Sequence, residues 1–168
     1  MAFHDRKTIR LKSHDYNTVG AYFLTICTRD RRCILSHVIG DGSCENTTVL
    51  LTDYGKTAEK YLIQMNNFYS HISIDRYVIM PNHIHILMQI TEDQRIPSEN
   101  TFGSSLNSAI SRFVSTFKRF TNKEYGENIW QLRSNDHVVR DKDDYNTRLR
   151  YIYENPARWY FDDLYREQ

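Results

Sequence analysis

The stretch Tyr77–Ile90, YVIMPNHIHILMQI, leaves this chain few ways to fold. It reads as two apolar strands joined at Pro81-Asn82, because a Pro-Asn pair between β-rich runs marks a tight turn. Side chains alternate along a strand. His83 and His85 therefore share one face, while Ile84, Ile86, Met88 and Ile90 share the other. A two-residue loop sets Met80 opposite His83, so the histidine face also carries Val78, Met80 and Leu87. Something must cover that face. Two imidazoles two residues apart on one strand can share a divalent cation. The same spacing also suits two core histidines with ordinary hydrogen bonds.

The flanking segments supply a sheet and helices. Val19–Thr28 is β-rich, with Ala21, Phe23, Thr25 and Cys27 alternating against Tyr22, Leu24 and Ile26. The charged turn Arg29-Asp30-Arg31-Arg32 follows, suited to solvent or to a phosphate. Ser36–Leu51, with Gly40, Gly42 and Asn46, reads as a loop. Thr52 or Asp53 can cap a helix to about Phe68, whose buried stripe is Tyr54, Ala58, Tyr61, Leu62, Met65 and Phe68. The hairpin occupies Ile72–Met80 and His83–Thr91, and Glu92–Thr101 is a polar loop. A long helix is expected from about Phe102 to Asn122, with Leu106, Ile110, Phe113, Phe117 and Phe120 as its stripe. Its outer face carries Ser104, Ser108, Ser111, Arg112, Ser115, Lys118 and Arg119, with no acid between Asn100 and Asn122. Such a face suits a phosphate backbone as well as water. Gly126–Ser134 is a loop and His137–Arg140 a short strand. Asp141 caps a final helix reaching Asn155, where Pro156 stops it. Tyr145, Leu149 and Ile152 form its packing stripe, and Tyr151 and Asn155, four apart, share another face.

Composition narrows the class. A chain of 168 residues is expected to form one domain, residues 1–168, with 40% hydrophobic and 26% charged residues. Net charge is +1, so a nucleic-acid surface requires local segregation of charge. No apolar run approaches the roughly 20 residues of a membrane span. Cys27, Cys33 and Cys44 lack CxxC spacing and suggest reduced thiols, hence a cytoplasmic protein. The run of Arg6, Lys7, Arg10 and Lys12 has no apolar segment for secretion; it reads as a solvated terminus in preference to an arm on phosphates.

If the final helix covers the histidine face, His83, His85 and the Asn155 amide oxygen converge beside the Tyr151 phenol. That ligand set leaves open positions on Mg²⁺ or Mn²⁺ for phosphodiester oxygens. Tyr151 can then attack phosphorus and hold DNA as a phosphotyrosine, although a free phenol, with a pKa of about 10, needs help to ionise.

These residues carry a resemblance. MPNHIH at Met80–His85, NIWQ at Asn128–Gln131, DHVVR at Asp136–Arg140 and RYIYENPARW at Arg150–Trp159 follow the opening strand YFLTICTRDRR. In that order, over nearly the whole chain, they resemble the HUH-type single-tyrosine transposases, in particular their REP-associated branch. The resemblance implies an α+β fold, a ferredoxin-like antiparallel sheet with packed helices. It implies His83 and His85 as metal ligands, Tyr151 as nucleophile, and Asn155 as third ligand where many relatives carry Gln. It further implies Mg²⁺ or Mn²⁺, and single-stranded DNA hairpins from palindromic repeats as partner. Cleavage would leave a 5′-phosphotyrosine and a free 3′-OH, then rejoining would follow. Candidate DNA contacts are Arg112, Lys118, Arg119, Arg29, Arg31 and Arg148, and a homodimer is left open. Two other readings stand beside this one. A domesticated relative would grip hairpins without cutting. A zinc hydrolase could use His-x-His, but the chain has no HxHxD or HExxH set. Tyr77, Tyr145, Tyr153 and Trp130 read as packing residues, and His137 as structural or DNA-contacting. His4, His14, His37 and His71 read as surface or loop residues.

Overall fold

The computed structural model describes residues 18–92 and 108–167. The basic amino-terminal run, most of the polar loop after the hairpin, and Phe102, Ser104 and Leu106 of the expected long helix lie outside the described residues.

Strand β1 (Gly20–Cys27) follows the expected alternation and is buried on both faces over most of its length. It pairs antiparallel with β5 (His83–Ile90), and β5 pairs antiparallel with β4 (Ile72–Ile79) through the turn at Pro81-Asn82. β6 (Asn135–Val139) takes the other edge of β1, giving the order β4-β5-β1-β6. Helix α1 (Asp53–Phe68) connects β1 to β4, and α2 (Ala109–Tyr125) connects β5 to β6. This βαββαβ succession on an antiparallel sheet is the ferredoxin-like arrangement, in an α+β fold.

One sheet face is apolar. Leu24, Ile26, Ile84, Ile86 and Met88 meet Ala58, Leu62 and Met65 of α1 and Ile110, Phe113, Val114 and Phe117 of α2. Each fully buried side chain of this kind contributes about 1.5–3 kcal/mol. The other face carries Phe23, Thr25 and Cys27 beside His83, His85 and Leu87. Helix α3 (Lys142–Glu154) lies over that face, packing Tyr145, Leu149 and Ile152 on Phe23 and Leu87.

Local chemistry sets the boundaries. Thr52 caps α1 by accepting from the Gly55 amide at 3.2 Å. Asp141 caps α3 by accepting from the Asp144 amide at 2.8 Å. Gly126, left-handed at φ 73°, closes α2 at Tyr125, three residues beyond the expected end. Ser108 accepts from the Ser111 amide at 3.1 Å, so it is the cap of α2, not a member of its outer face. Phe120 is not buried with the stripe; it stacks on Tyr61 with ring centroids 5.8 Å apart.

The segment expected as a loop, Ser36–Leu51, contains a two-stranded sheet, β2 (Ser36–Ile39) with β3 (Thr48–Leu51). The expectation fails because the strands are four residues each and the turn between them is rich in strand breakers. Gly40, at φ 148°, lets Asn46 and Thr47 approach where a Cβ would lie 2.3 Å from the Asn46 carbonyl oxygen. Ser36 ties this hairpin to the main sheet by donating to the Ile79 carbonyl at 2.9 Å.

Candidate active site and metal centre

His83 and His85 sit on β5 at 0% and 3% exposure, with ring centroids 4.5 Å apart. Each ring is held from behind. The Thr25 hydroxyl, directly across the β1–β5 ladder, lies 2.9 Å from His85 Nδ1. Asn82 Oδ1 lies 2.8 Å from His83 Nδ1. The Asn82 amide is oriented by its own donor, Nδ2, which gives to the Leu164 carbonyl at 2.8 Å and the Arg31 carbonyl at 3.4 Å. Its oxygen can only accept, so His83 Nδ1 carries the proton and Nε2 carries a lone pair. Both Nε2 atoms are buried without a hydrogen-bond partner. Burial drives the proton affinity of His83 down to about 3, reinforced by the Arg31 charge. Burial, then the neighbouring His83, lowers His85 as well. Both rings are therefore neutral at pH 7, the form that binds a metal.

Helix α3 aims Arg148, Tyr151 and Asn155 at this face, at spacings of three and four. The Tyr151 ring lies edge-on to His85 at 5.1 Å and to Phe23 at 5.9 Å between centroids. Tyr151 keeps 40% of its surface exposed. Asn155, 2% exposed, stands at the end of α3 beside His83 with a buried Oδ1 that has no partner.

A fourth group converges there that the sequence reading missed. After Pro156 the chain makes a short 3₁₀ turn, Trp159–Phe161, anchored by the fully buried Trp159 on Met80 and Val38. This turn delivers Asp162. Its Oδ2 accepts from Asn155 Nδ2 at 3.0 Å and from the Tyr151 hydroxyl at 3.3 Å. Ligand atoms of His83, His85 and Asp162 all lie within 4.8 Å of one another. The phenol's pKa is pushed up to about 12, mainly by burial, then by the charge and hydrogen bond of Asp162. Tyr151 thus holds its proton in this state. The only signal for Asp162 in the sequence was an acid placed past a helix-ending proline beside two aromatics.

Two unpartnered imidazole Nε2 atoms, an orphaned amide oxygen and a carboxylate oxygen fit a divalent cation of the Mg²⁺ or Mn²⁺ kind, which accepts mixed nitrogen and oxygen ligands. The unpartnered buried atoms are the structural sign, because such atoms are normally paired.

The candidate DNA contacts divide. Arg148 belongs to the site's flank: its guanidinium lies 5.5 Å above the Phe23 ring, and Nε donates to Asp144 at 3.1 Å. Asp144 also takes a 2.7 Å contact from His137 Nε2, so His137 links β6 to α3. Arg29 and Arg31 lie in the 3₁₀ turn after β1. Arg112 and Arg119 are exposed on α2, which packs on the sheet face away from the histidines. Lys118 is tied down, donating to the Gln131 and Leu132 carbonyls at 2.7 and 3.3 Å. Trp130 is a core residue whose indole donates to Thr121 at 2.7 Å.

A ferredoxin-like sheet with His-x-His on a central strand and a Tyr-bearing helix across it defines the HUH class of fold. No family model matches the chain. An uncharacterized Haemophilus influenzae protein is 30% identical over 96% of this chain and 94% of its own length. A second protein of that organism, carrying the provisional name REP-associated tyrosine transposase, is 31% identical over 86% of this chain and 74% of its own. The REP-associated tyrosine transposase of Escherichia coli is 25% identical over 88% of this chain and 78% of its own. The chain belongs to the REP-associated tyrosine transposase family. The fold is shared with a solved REP-associated tyrosine transposase bound to a REP hairpin, at TM-score 0.58 and 23% identity over 94% of this chain and 74% of that one.

Proposed function

We propose that the protein cleaves and rejoins single-stranded DNA at hairpin-forming repeats, with Tyr151 as nucleophile and His83, His85 and Asn155 as metal ligands. One observation carries the reading: the Tyr151 ring stands 5.1 Å from His85, and its hydroxyl meets the Asp162 carboxylate that clusters with both histidines. The solved relative is bound to a REP hairpin, which supports a hairpin as the partner.

The chain's own groups divide the work. Tyr151 Oη attacks phosphorus in line, forming the P–O bond of a 5′-phosphotyrosine. The bond to the 3′ oxygen breaks, and that oxygen leaves with the electron pair and takes up a proton as a free 3′-OH. Asp162 Oδ2, already accepting from the hydroxyl, is the nearest acceptor for the phenol's proton. Thr25 and Asn82 keep both Nε2 atoms facing the reaction. A divalent cation held there would supply charge neutralisation at the phosphodiester oxygens. Because the phosphotyrosine conserves the energy of the broken bond, reversal rejoins the strand without a nucleotide cofactor.

The test is a labelled hairpin strand incubated with the protein and Mn²⁺, then denatured. A protein–DNA adduct that survives denaturation and vanishes in Tyr151→Phe is the expected result. Tight binding with the strand left intact in the wild type would overturn cleavage and favour a hairpin-gripping protein.

A further inference from the structure

The turn after β1 contains a strained and unsatisfied residue that the chemistry above does not use. Asp30 and Arg31 have φ of 55° and 54°, two successive non-glycine residues in the left-handed region. That conformation is uncommon for such residues and persists only where the surroundings impose it. Here they do. The Arg29 amide donates to the Ile129 carbonyl at 2.6 Å, the Thr28 hydroxyl to the Arg32 carbonyl at 2.8 Å, and Asn82 Nδ2 to the Arg31 carbonyl at 3.4 Å. The result turns the Arg31 side chain inward. It is half-buried, and its Nη1 is buried with no hydrogen-bond partner. No carboxylate among the described residues forms an ion pair with it. Its neighbours Arg29 and Arg32 are exposed, and Arg32 pairs with Glu127 at 3.2 Å.

The turn stands at the end of the sheet where the metal ligands gather, because β1 ends at Cys27, the register partner of His83. Asn82 holds both parts, its oxygen on His83 and its nitrogen on the Arg31 carbonyl. One amide thus ties the Arg31 backbone to the first metal ligand.

We propose that Arg31 is a phosphate-gripping residue, its guanidinium binding the non-bridging oxygens of the DNA phosphodiester presented to Tyr151. This inference rests on the strand-cleavage reading and adds to it a second positive group, contributed by the protein itself. A planar guanidinium with fixed donors matches phosphate geometry, and a buried donor left unpaired in the free protein gains its partner only when the phosphate arrives. Charge building on the equatorial oxygens during attack would be met from the Arg31 side as well as from the metal side.

The test uses Arg31→Gln and Arg31→Lys. In the uncleaving Tyr151→Phe protein with EDTA present, affinity for a hairpin strand is measured against salt. One phosphate contact on a single strand contributes about 0.7 to the slope of log K on log salt, so Arg31→Gln is expected to lower the slope by about that amount. In the cleaving protein, adduct formation at saturating DNA is expected to slow about 100-fold in Arg31→Gln and to recover in part in Arg31→Lys. Mn²⁺ affinity, read by the EPR signal of free Mn²⁺, stays within about twofold. The melting temperature of Arg31→Gln without DNA stays level or rises, whereas a merely structural arginine would lower it. An unchanged salt slope and adduct rate, or loss of Mn²⁺ binding, overturns the assignment. If the wild type forms no adduct yet the slope falls, Arg31 grips DNA phosphate and only the cleavage reading fails.

Discussion

Thr25→Val tests whether the imidazoles are aimed from behind. Thr25 and His85 face each other across the β1–β5 ladder, 9% and 3% exposed, with Oγ1 2.9 Å from Nδ1. Valine has nearly the same shape, so the substitution opens no cavity. It removes one hydrogen bond and leaves Nδ1 buried without it. An unsatisfied buried polar group costs about 1–3 kcal/mol. In a chain of this size 1 kcal/mol moves the melting temperature by about 2–4 °C, so the metal-free variant should melt about 2–12 °C lower. The second effect is on the metal. The outer hydrogen bond fixes ring orientation, and removing such a partner typically weakens metal affinity about 10–100-fold. Calorimetry gives the first quantity and titration of free Mn²⁺ by EPR the second. Thr25→Ser keeps a hydroxyl and should recover most of the affinity. A valine variant with wild-type melting and wild-type Mn²⁺ affinity would refute the argument, since His85 would then be neither held nor aimed by its neighbour.

Three further outcomes follow from particular contacts. In metal-free protein, folded His83 and His85 resist protonation well below the ordinary value of about 6.5, so the unfolded chain binds more protons in acid. Stability is fully present above pH 6.5 and falls as pH drops towards 3, by at most about 1.4 kcal/mol per pH unit for each ring. Urea unfolding at pH 7, 5.5 and 4.5 should show this slope, and His83→Gln with His85→Gln should flatten it; equal slopes would sink the reading. Gly55→Ala should destabilise, although alanine is ordinarily favoured in a helix by about 1 kcal/mol, because the new Cβ would stand 2.0 Å from the Leu35 carbonyl oxygen; a variant at least as stable in urea argues against that close approach. Asn82→Ala should free the Leu164 carbonyl and His83 together. Limited proteolysis should then cut faster after Asn155, and Mn²⁺ should bind more weakly; a wild-type digestion pattern would contradict the link.

What could be read from the sequence was local. The stripe of α3, the caps at Thr52 and Asp141 and the alternation along β1 and β5 depend on neighbours within a few positions, and all are as expected. Periodicity also identified which face of β5 carries His83 and His85. It could not say which side of the sheet each helix would take. The cations of α2 were legible as a stripe, but a helix stripe carries no label for the face beneath it, and α2 lies across the sheet from the histidines. β2 and β3 escaped because Gly40, Gly42 and Asn46, which shape their turn, outweigh four-residue strands in any window. Asp162 escaped for a deeper reason. Nothing periodic connects position 162 to position 83, and the two meet only because Trp159 buries itself against Met80 and Val38.

Asn82 shows how far the two kinds of information coincide. In the sequence it is a turn residue, chosen with Pro81 because a tight hairpin needs that chemistry. In the fold the same turn delivers its amide between three partners: the Leu164 carbonyl, the Arg31 carbonyl and His83 Nδ1. The two carbonyls dictate which way the amide faces, and that direction dictates which nitrogen of His83 carries the proton. A lone pair at Nε2 is therefore a consequence of where residues 31 and 164 place their backbone. The hairpin turn, the strained loop after β1 and the returning C-terminal segment act through one side chain, so a change in any of them reaches His83 as a change of tautomer before it is felt as a loss of fold.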